Sequence, residues 1–362
     1  MNAPFPRPGI LDITPYQAGE SKIAGKTTVM KMASNESPLG PSPAVAAALK
    51  AEFDTLQLYP DPTASALREA LAAKYGVPAS QILCTSGSEQ ALHLVTRAYA
   101  SLGDEVLFSQ YGFIAYPIAA KAAGATPVIA PEQNFTTDID ALIARVSART
   151  KVLFLANPNN PTGTYLPLSE IRRLHAALPE RVLLVLDEAY AEYVTRDDYQ
   201  SALALVKEGA PNVMVSRTFS KIYGLAAMRV GWSVCPPAVI DVFNRIRETF
   251  NVGALSQRAA LAALADEAHV KAARDHNAKW LAWISDELTK MGLRVTPSIG
   301  NFVLVHFSDA DAAKAADQHL RGDGIIVRPV AGYGLPQCLR ISVGKDSENK
   351  ALVENLGRFM DK

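Results

Sequence analysis

The chain has 362 residues, 49% of them hydrophobic and 20% charged, which is the composition of an ordinary soluble globular protein long enough for two cores. Lysine plus arginine and aspartate plus glutamate both number 36, so no net field draws the protein toward nucleic acid or an anionic membrane, and a small-molecule partner is expected. The three cysteines, Cys84, Cys235 and Cys338, form no C-x-x-C, which argues against a disulfide framework and a zinc site and fits a reducing cytoplasm. The start, M-N-A-P-F-P-R-P-G, has prolines where a signal peptide would have an apolar core, and no apolar run reaches membrane-spanning length. His269 and His276 lie on one predicted helix but have no partners that would make them ligands, so no metal is expected.

Residues 1–40 are proline-rich with little periodicity, and read as an arm over the surface that ends in M-A-S-N-E-S-P-L-G. Ser42 reads as an N-cap with Pro43 at the first helical position, opening an alanine-rich helix to about Phe53. Between it and a helix starting near Ala64, L-Y-P-D-P places Tyr59 on a rigid, exposed turn. Q-I-L-C-T-S-G-S-E-Q-A-L-H-L-V then reads as an apolar strand, a small-residue turn from Thr85 to Ser88 and a helix, whose first backbone N–H groups form a ready anion site.

From there strands and helices alternate. Strands are expected at 105–108, 127–130, 151–156 and 181–186, with helices near 114–123, 138–148 and 168–178. Unalternated Val/Leu runs between amphipathic helices imply strands buried on both faces of a largely parallel sheet, with ligands at the strands' carboxyl ends. The residues there are polar: S-Q-Y-G-F after 108, N-P-N-N-P-T-G after 156 and D-E-A-Y after 186. After the strand at 212–216 comes S-R-T-F-S-K-I-Y-G-L-A-A-M-R-V-G-W. The strand R-V-G-W-S-V-C follows too closely for a crossover helix and is expected antiparallel. Beyond Pro237 come long helices, notably from about Glu267 to Met291, then helix-separated strands in N-F-V-L-V-H-F, G-I-I-V-R-P and C-L-R-I-S-V-G. The expected division is an arm over 1–40, a large domain over 41–265 and a small α/β domain over 266–362 that also holds the arm.

Lys221 stands just past a buried strand among Phe219, Ile222, Tyr223 and Leu225. Lost solvation disfavours its ammonium form and leaves a nucleophilic amine, suited to a Schiff base with an aldehyde. The hydroxyls of Thr218 and Ser220 and the fork of Arg229 suit a phosphate. One cofactor, pyridoxal 5'-phosphate, carries both groups. Its ring withdraws electrons best with a protonated nitrogen beside a buried carboxylate, a place open to Asp187. Asn160 and Tyr190, just beyond their strand ends, are placed to hydrogen-bond its phenolic oxygen, and an aromatic of Y-G-F-I-A-Y to cover its face. Each feature alone is commonplace in turns and caps; their joint occurrence in order along one sheet edge carries the reading.

These motifs, with T-P-Y-Q at 14–17, N-E-S-P-L-G at 35–40, Y-P-D-P at 59–62, G-S-E-Q at 87–90 and L-R-I-S-V-G at 339–344, resemble the fold type I pyridoxal-phosphate enzymes nearly end to end. Within them the chain resembles the histidinol-phosphate aminotransferases. The resemblance implies Lys221 as the Schiff-base lysine and proton shuttle, Asp187 on the ring nitrogen, and Asn160 and Tyr190 on the phenolic oxygen. Phosphate ligands would be Thr218, Ser220, Arg229 and the backbone of Ser88 and Glu89, with Tyr59 reaching over from the other subunit of a homodimer with shared sites. Counting back from Tyr116 and Gly124 puts the ring-stacking position on Phe113 rather than Tyr111. Arg328 and Arg340, with Tyr16 and Asn35 nearby, would hold the anionic end of histidinol phosphate or of glutamate and 2-oxoglutarate. An aromatic-amino-acid aminotransferase shares every cofactor motif and is the alternative. A phosphothreonine decarboxylase is more distant, and a DNA-binding regulator on the same fold would need an extra basic module.

Overall fold

The computed structural model describes residues 4–361. From the N-terminus the elements are β1 (Met30–Lys31), α1 (Pro43–Lys50), α2 (Ser65–Tyr75), β2 (Ile82–Thr85), α3 (Ser88–Tyr99), β3 (Glu105–Ser109), α4 (Ala115–Ala123), β4 (Thr126–Ala130), the small hairpin of β5 (Glu132–Gln133) and β6 (Thr136–Thr137), α5 (Ile139–Arg145), β7 (Thr150–Ala156), α6 (Leu168–Ala177) and β8 (Leu183–Asp187). They continue as α7 (Leu203–Lys207), β9 (Val213–Thr218), β10 (Gly231–Val234), α8 (Pro237–Ile246), α9 (Ala254–Ala265), α10 (Glu267–Lys290), β11 (Arg294–Thr296), β12 (Phe302–His306), α11 (Ala310–Gly322), β13 (Ile325–Ile326), β14 (Arg328–Val330), β15 (Leu335–Ser342) and α12 (Asp346–Met360).

The apolar runs of β3, β7, β8 and β9 are buried at nearly every residue, as strands covered on both faces must be. They form the centre of a seven-stranded sheet in the order β2-β10-β9-β8-β7-β3-β4. One apolar core lies on each face. β3, β4, β7, β8 and β9 run parallel, whereas β10 is antiparallel to both β9 and β2. This mixed sheet with helices on both faces is the α/β architecture that the resemblance implies.

A second, four-stranded sheet, β11-β12-β15-β14, is antiparallel throughout and packs with α10, α11 and α12 around its own core. G-I-I-V-R-P, expected as one strand, is split. Ile325 and Ile326 pair in parallel with Met30 and Lys31 of β1, while Arg328 to Val330 pair with β15. The arm is also not wholly superficial, because Met32, Ala33 and Asn35 are buried and Met32 belongs to the core of the four-stranded sheet. The N-cap at Ser42 forms as expected: its hydroxyl accepts from Ala44 N and also bonds the Asp266 carboxylate that caps α10.

Candidate active site

The carboxyl ends of β7, β8 and β9 and the N-terminus of α3 converge on one cavity of about 230 Å³. Lys221, Asp187, Tyr190, Asn160, Phe113, Thr218, Ser220, Arg229, Ser88 and Glu89 all line it. Asn35 and Arg340 touch that lining from the second sheet's side: Asn35 Nδ2 donates to the Tyr190 hydroxyl at 2.9 Å, and Arg340 Nη1 donates to Asn160 Oδ1.

Lys221 sits three residues beyond β9. Burial lowers its pKa to about 8, helped by Arg340 and Arg229 and opposed by Glu36 and Asp187. Its Nζ donates to Ser34 O at 3.3 Å and lies 5.6 Å from the centre of the Tyr190 ring. Asp187 closes β8 with its carboxyl buried, and burial pushes its pKa up to about 6 against the stabilising hydrogen bonds of Tyr116 and the Ala189 N–H. Tyr116 donates to Asp187 Oδ2 at 3.1 Å, and Asp187 Oδ1 has no partner among the described residues.

The same cavity also holds a cradle suited to an anion. α3 begins at Ser88 with free N–H groups, and beside it stand the Thr218 and Ser220 hydroxyls and the Arg229 guanidinium, whose Nη1 donates to Ser220 Oγ at 3.2 Å. Two glycines permit this closeness. A Cβ on Gly87, at φ +77°, would stand 2.5 Å from Arg229 Nη2, and one on Gly231 would stand 2.5 Å from Ser88 N. Arg229 itself holds φ 48°, a left-handed conformation that a non-glycine residue adopts only when its surroundings impose it.

The structure does not bring every expected residue here. Tyr16 and Arg328 line a separate cavity of about 510 Å³ between the arm, α4 and the second sheet. There Arg328 Nη2 donates to Gln17 O at 2.6 Å, with its guanidinium 5.9 Å from the Tyr16 ring. Arg328 nevertheless stands directly opposite Arg340 in the β14–β15 ladder, so the two arginines share a sheet face. Tyr59 is 82% exposed and stacks on Phe250 at 4.5 Å, outside both cavities. Of the aromatics considered for the ring face, Phe113 lines the Lys221 cavity, Tyr116 lies behind it on Asp187, and Tyr111 packs away on Phe135.

Sequence reasoning did not single out Ser34, Glu36 or the Tyr116–Asp187 bond. Glu36 had a signal, adjacency to Asn35 in N-E-S-P-L-G. Tyr116 had only its position three residues after Phe113, one helical turn away.

A protein-family model described as aminotransferase class I and II matches residues 27–356. The chain is 52% identical over 363 aligned positions to the histidinol-phosphate aminotransferase of Paramagnetospirillum magneticum, and 49% identical to that of Rhodopseudomonas palustris, with 99% of each chain covered in both comparisons. Among solved structures, the histidinol-phosphate aminotransferase of Sinorhizobium meliloti in complex with pyridoxal-5'-phosphate superposes with a TM-score of 0.90 at 31% identity, again over 99% of both chains. Joined to a lysine, a buried carboxylate and an anion cradle at one sheet edge, these likenesses place the chain in the class I and II aminotransferases and, within them, in the histidinol-phosphate aminotransferase family.

Proposed function

We propose that this chain transfers an amino group between L-histidinol phosphate and 2-oxoglutarate, giving imidazole-acetol phosphate and glutamate, in histidine biosynthesis. The observation that carries the reading is that the Lys221 cavity brings together an amine of lowered pKa, a buried carboxylate oxygen with no partner among the described residues, and an anion cradle. These residues fit pyridoxal 5'-phosphate. Lys221 would hold its aldehyde carbon, Asp187 its ring nitrogen, Phe113 its face, and Thr218, Ser220, Arg229 and the Ser88 and Glu89 N–H groups its phosphate. When bound, that cofactor supplies an electron sink for the bonds at the substrate's amino-bearing carbon.

The chain's own groups do the rest. Lys221, with its pKa brought near neutrality, can take and return a proton at that carbon. Asp187 supplies a negative charge that keeps a ring nitrogen protonated. Asn160 has its amide oxygen occupied by Arg340, which leaves the amide nitrogen to donate, and the Tyr190 hydroxyl already accepts from Asn35 and so can donate its own proton. Arg340 is buried and would grip a carboxylate or phosphate. Arg328 and Tyr16 would join it on the substrate side, together with Asn35.

We further infer a homodimer with shared sites, because Tyr59 stands exposed and is not among the residues that line its own chain's cavity. The inferred division is an arm to residue 40, a large domain over 41–265 and a small domain over 266–362, in a cytoplasmic enzyme. Among the described residues no helix is long and apolar enough to cross a membrane. The test is a panel of amino acceptors offered to the glutamate-loaded enzyme. Imidazole-acetol phosphate should be taken in clear preference to phenylpyruvate; the reverse order would make the protein an aromatic-amino-acid aminotransferase.

A further inference from the structure

Behind the edge that carries Asp187 and Thr218 lies a second charged cluster that the reaction does not touch. Successive strand residues point to opposite faces, so in D-E and R-T the first and last residues face the cavity, while Glu188 and Arg217 face away from it. The Arg217 side chain is 6% exposed and that of Glu188 wholly buried. Arg217 donates from Nε and Nη2 to Glu188 Oε2 at 3.1 and 2.7 Å, from Nη1 to Glu192 Oε1 at 3.2 Å, and from Nη2 to Ser201 Oγ at 2.9 Å. Glu188 is saturated in turn by Ser201 Oγ and the Ala202 N–H. The guanidinium lies against the Tyr75 and Trp232 rings, 5.1 and 5.6 Å from their centres, and the two rings pack on each other at 4.7 Å.

A buried ion pair of this kind adds little net stability over a well-packed apolar substitute, because desolvation consumes most of its attraction. What it does supply is geometry, since a planar fork fixes both the distance and the orientation of what it holds. Here it grips residues on both sides of the working edge. Glu188 and Glu192 bracket Ala189 and Tyr190, Arg217 adjoins Thr218 and the run to Lys221, and Arg274 of α10 donates to Glu192 O at 2.7 Å, tying in the helix that leads to the second sheet.

We propose that Arg217 is a positioning residue for the reaction: by holding Glu188 and Glu192 behind the sheet, it sets Asp187 and Tyr190 in register with Lys221 in the cavity. The proposal rests on the reading of that cavity as the pyridoxal-phosphate site.

Arg217→Lys in the holoenzyme tests it, because the charge is kept and the fork is lost. The expected result is a folded protein whose kcat falls about ten- to a hundred-fold, the scale set by small misplacements of reacting groups. KM for glutamate should change little, and the pH midpoint of the bound cofactor's visible absorption band should move from the wild-type value. A lower Tm with kcat and midpoint both at wild-type values would overturn the proposal and leave Arg217 a purely structural residue. If Arg217→Lys does not fold, Glu188→Gln, which keeps the shape and one acceptor, carries the same test with the same two outcomes. The wild-type titration run alongside separates the two layers: no visible band in the wild type overturns the cofactor reading and this proposal with it, whereas a normal wild-type band and an unmoved variant overturn the proposal alone.

Discussion

The Lys221 cavity and the Tyr16–Arg328 cavity lie on either side of the Phe113–Ile114 step, and they are built in opposite ways. The first is set into the carboxyl ends of parallel strands, where Asp187, Tyr190 and Asn160 are held by hydrogen bonds from Tyr116, Asn35 and Arg340. The second is more than twice as large, at about 510 Å³ against about 230 Å³, and one wall is the segment from Asp12 to Glu20, which has no regular secondary structure. A rigid scaffold suits a group that every cycle reuses, and an arm suits ligands that must enter and leave. The contrast predicts that changes in the first cavity damage all activity, and that changes in the second sort substrates.

The largest effect should come from Lys221→Ala. Removing the amine removes both cofactor attachment and proton transfer, so turnover should fall by about 10^4-fold or more. Purified wild-type protein should be yellow, and borohydride should fix the cofactor on the peptide containing T-F-S-K. A label on another lysine, or repeated turnover by the variant, would break the assignment.

Asp187→Asn should separate function from stability. Burial pushes this carboxyl up to about 6, above its ordinary value of 3.8, so the native cofactor-free chain binds the proton more tightly than the unfolded chain does. Its charge therefore costs stability above about pH 6, and the cost fades as the pH falls toward the unfolded value. Asn should stabilise the cofactor-free protein at pH 7 by roughly 2–3 kcal/mol and change little near pH 4, read by urea unfolding. The same variant, lacking a counter-ion for the ring nitrogen, should lose about a hundred-fold or more in kcat. Equal unfolding free energies at pH 7 would show that the carboxyl is better solvated than its surroundings imply.

Much of this first cavity was legible in the sequence, because strand ends are marked by where apolar runs stop. Asp187 and Lys221 were found by that rule, and the antiparallel β10 by an interval too short for a helix. What escaped depends on residues far apart in the chain. The split of G-I-I-V-R-P arises because Ile325 and Ile326 find backbone partners in Met30 and Lys31, nearly three hundred residues earlier, and periodicity carries no trace of that pairing. Arg217 and Glu188 were likewise invisible, for within S-R-T and D-E-A only the cavity-facing members fit a chemical expectation.

The second cavity should discriminate. Arg340 is buried against the Lys221 side, so Arg340→Ala should impair kcat/KM for glutamate and for histidinol phosphate alike. Arg328 faces the arm, and a phosphate dianion has more charge and one more oxygen to satisfy than a carboxylate. Arg328→Ala should therefore cost histidinol phosphate about ten- to a hundred-fold and glutamate less, at roughly 1.5–3 kcal/mol for each charge-assisted bond. Equal, small losses for both substrates would mean that Arg328 only ties down the arm through Gln17.

The smallest expected effect tests whether the rigid cavity is complete within one chain. Tyr59 is 82% exposed and rests on Phe250, and it is not among the residues lining the Lys221 cavity, so the proposed shared site gives its hydroxyl to a phosphate bound by another copy of the chain. Losing one such bond in Tyr59→Phe should weaken cofactor affinity by about ten-fold and leave kcat at saturating cofactor nearly unchanged. That alone does not say which subunit's tyrosine matters, but hybrids with Lys221→Ala subunits do. In a shared arrangement the intact lysine of the Tyr59→Phe subunit is served by the intact tyrosine of its partner, so the one working site of the hybrid binds cofactor with wild-type affinity. In an unshared arrangement the only working lysine sits with the altered tyrosine, and the hybrid shows the weakened affinity of the Tyr59→Phe homodimer. Titrating cofactor against the hybrid's activity distinguishes the two, and the weakened affinity would mean that the scaffold cavity is self-sufficient after all.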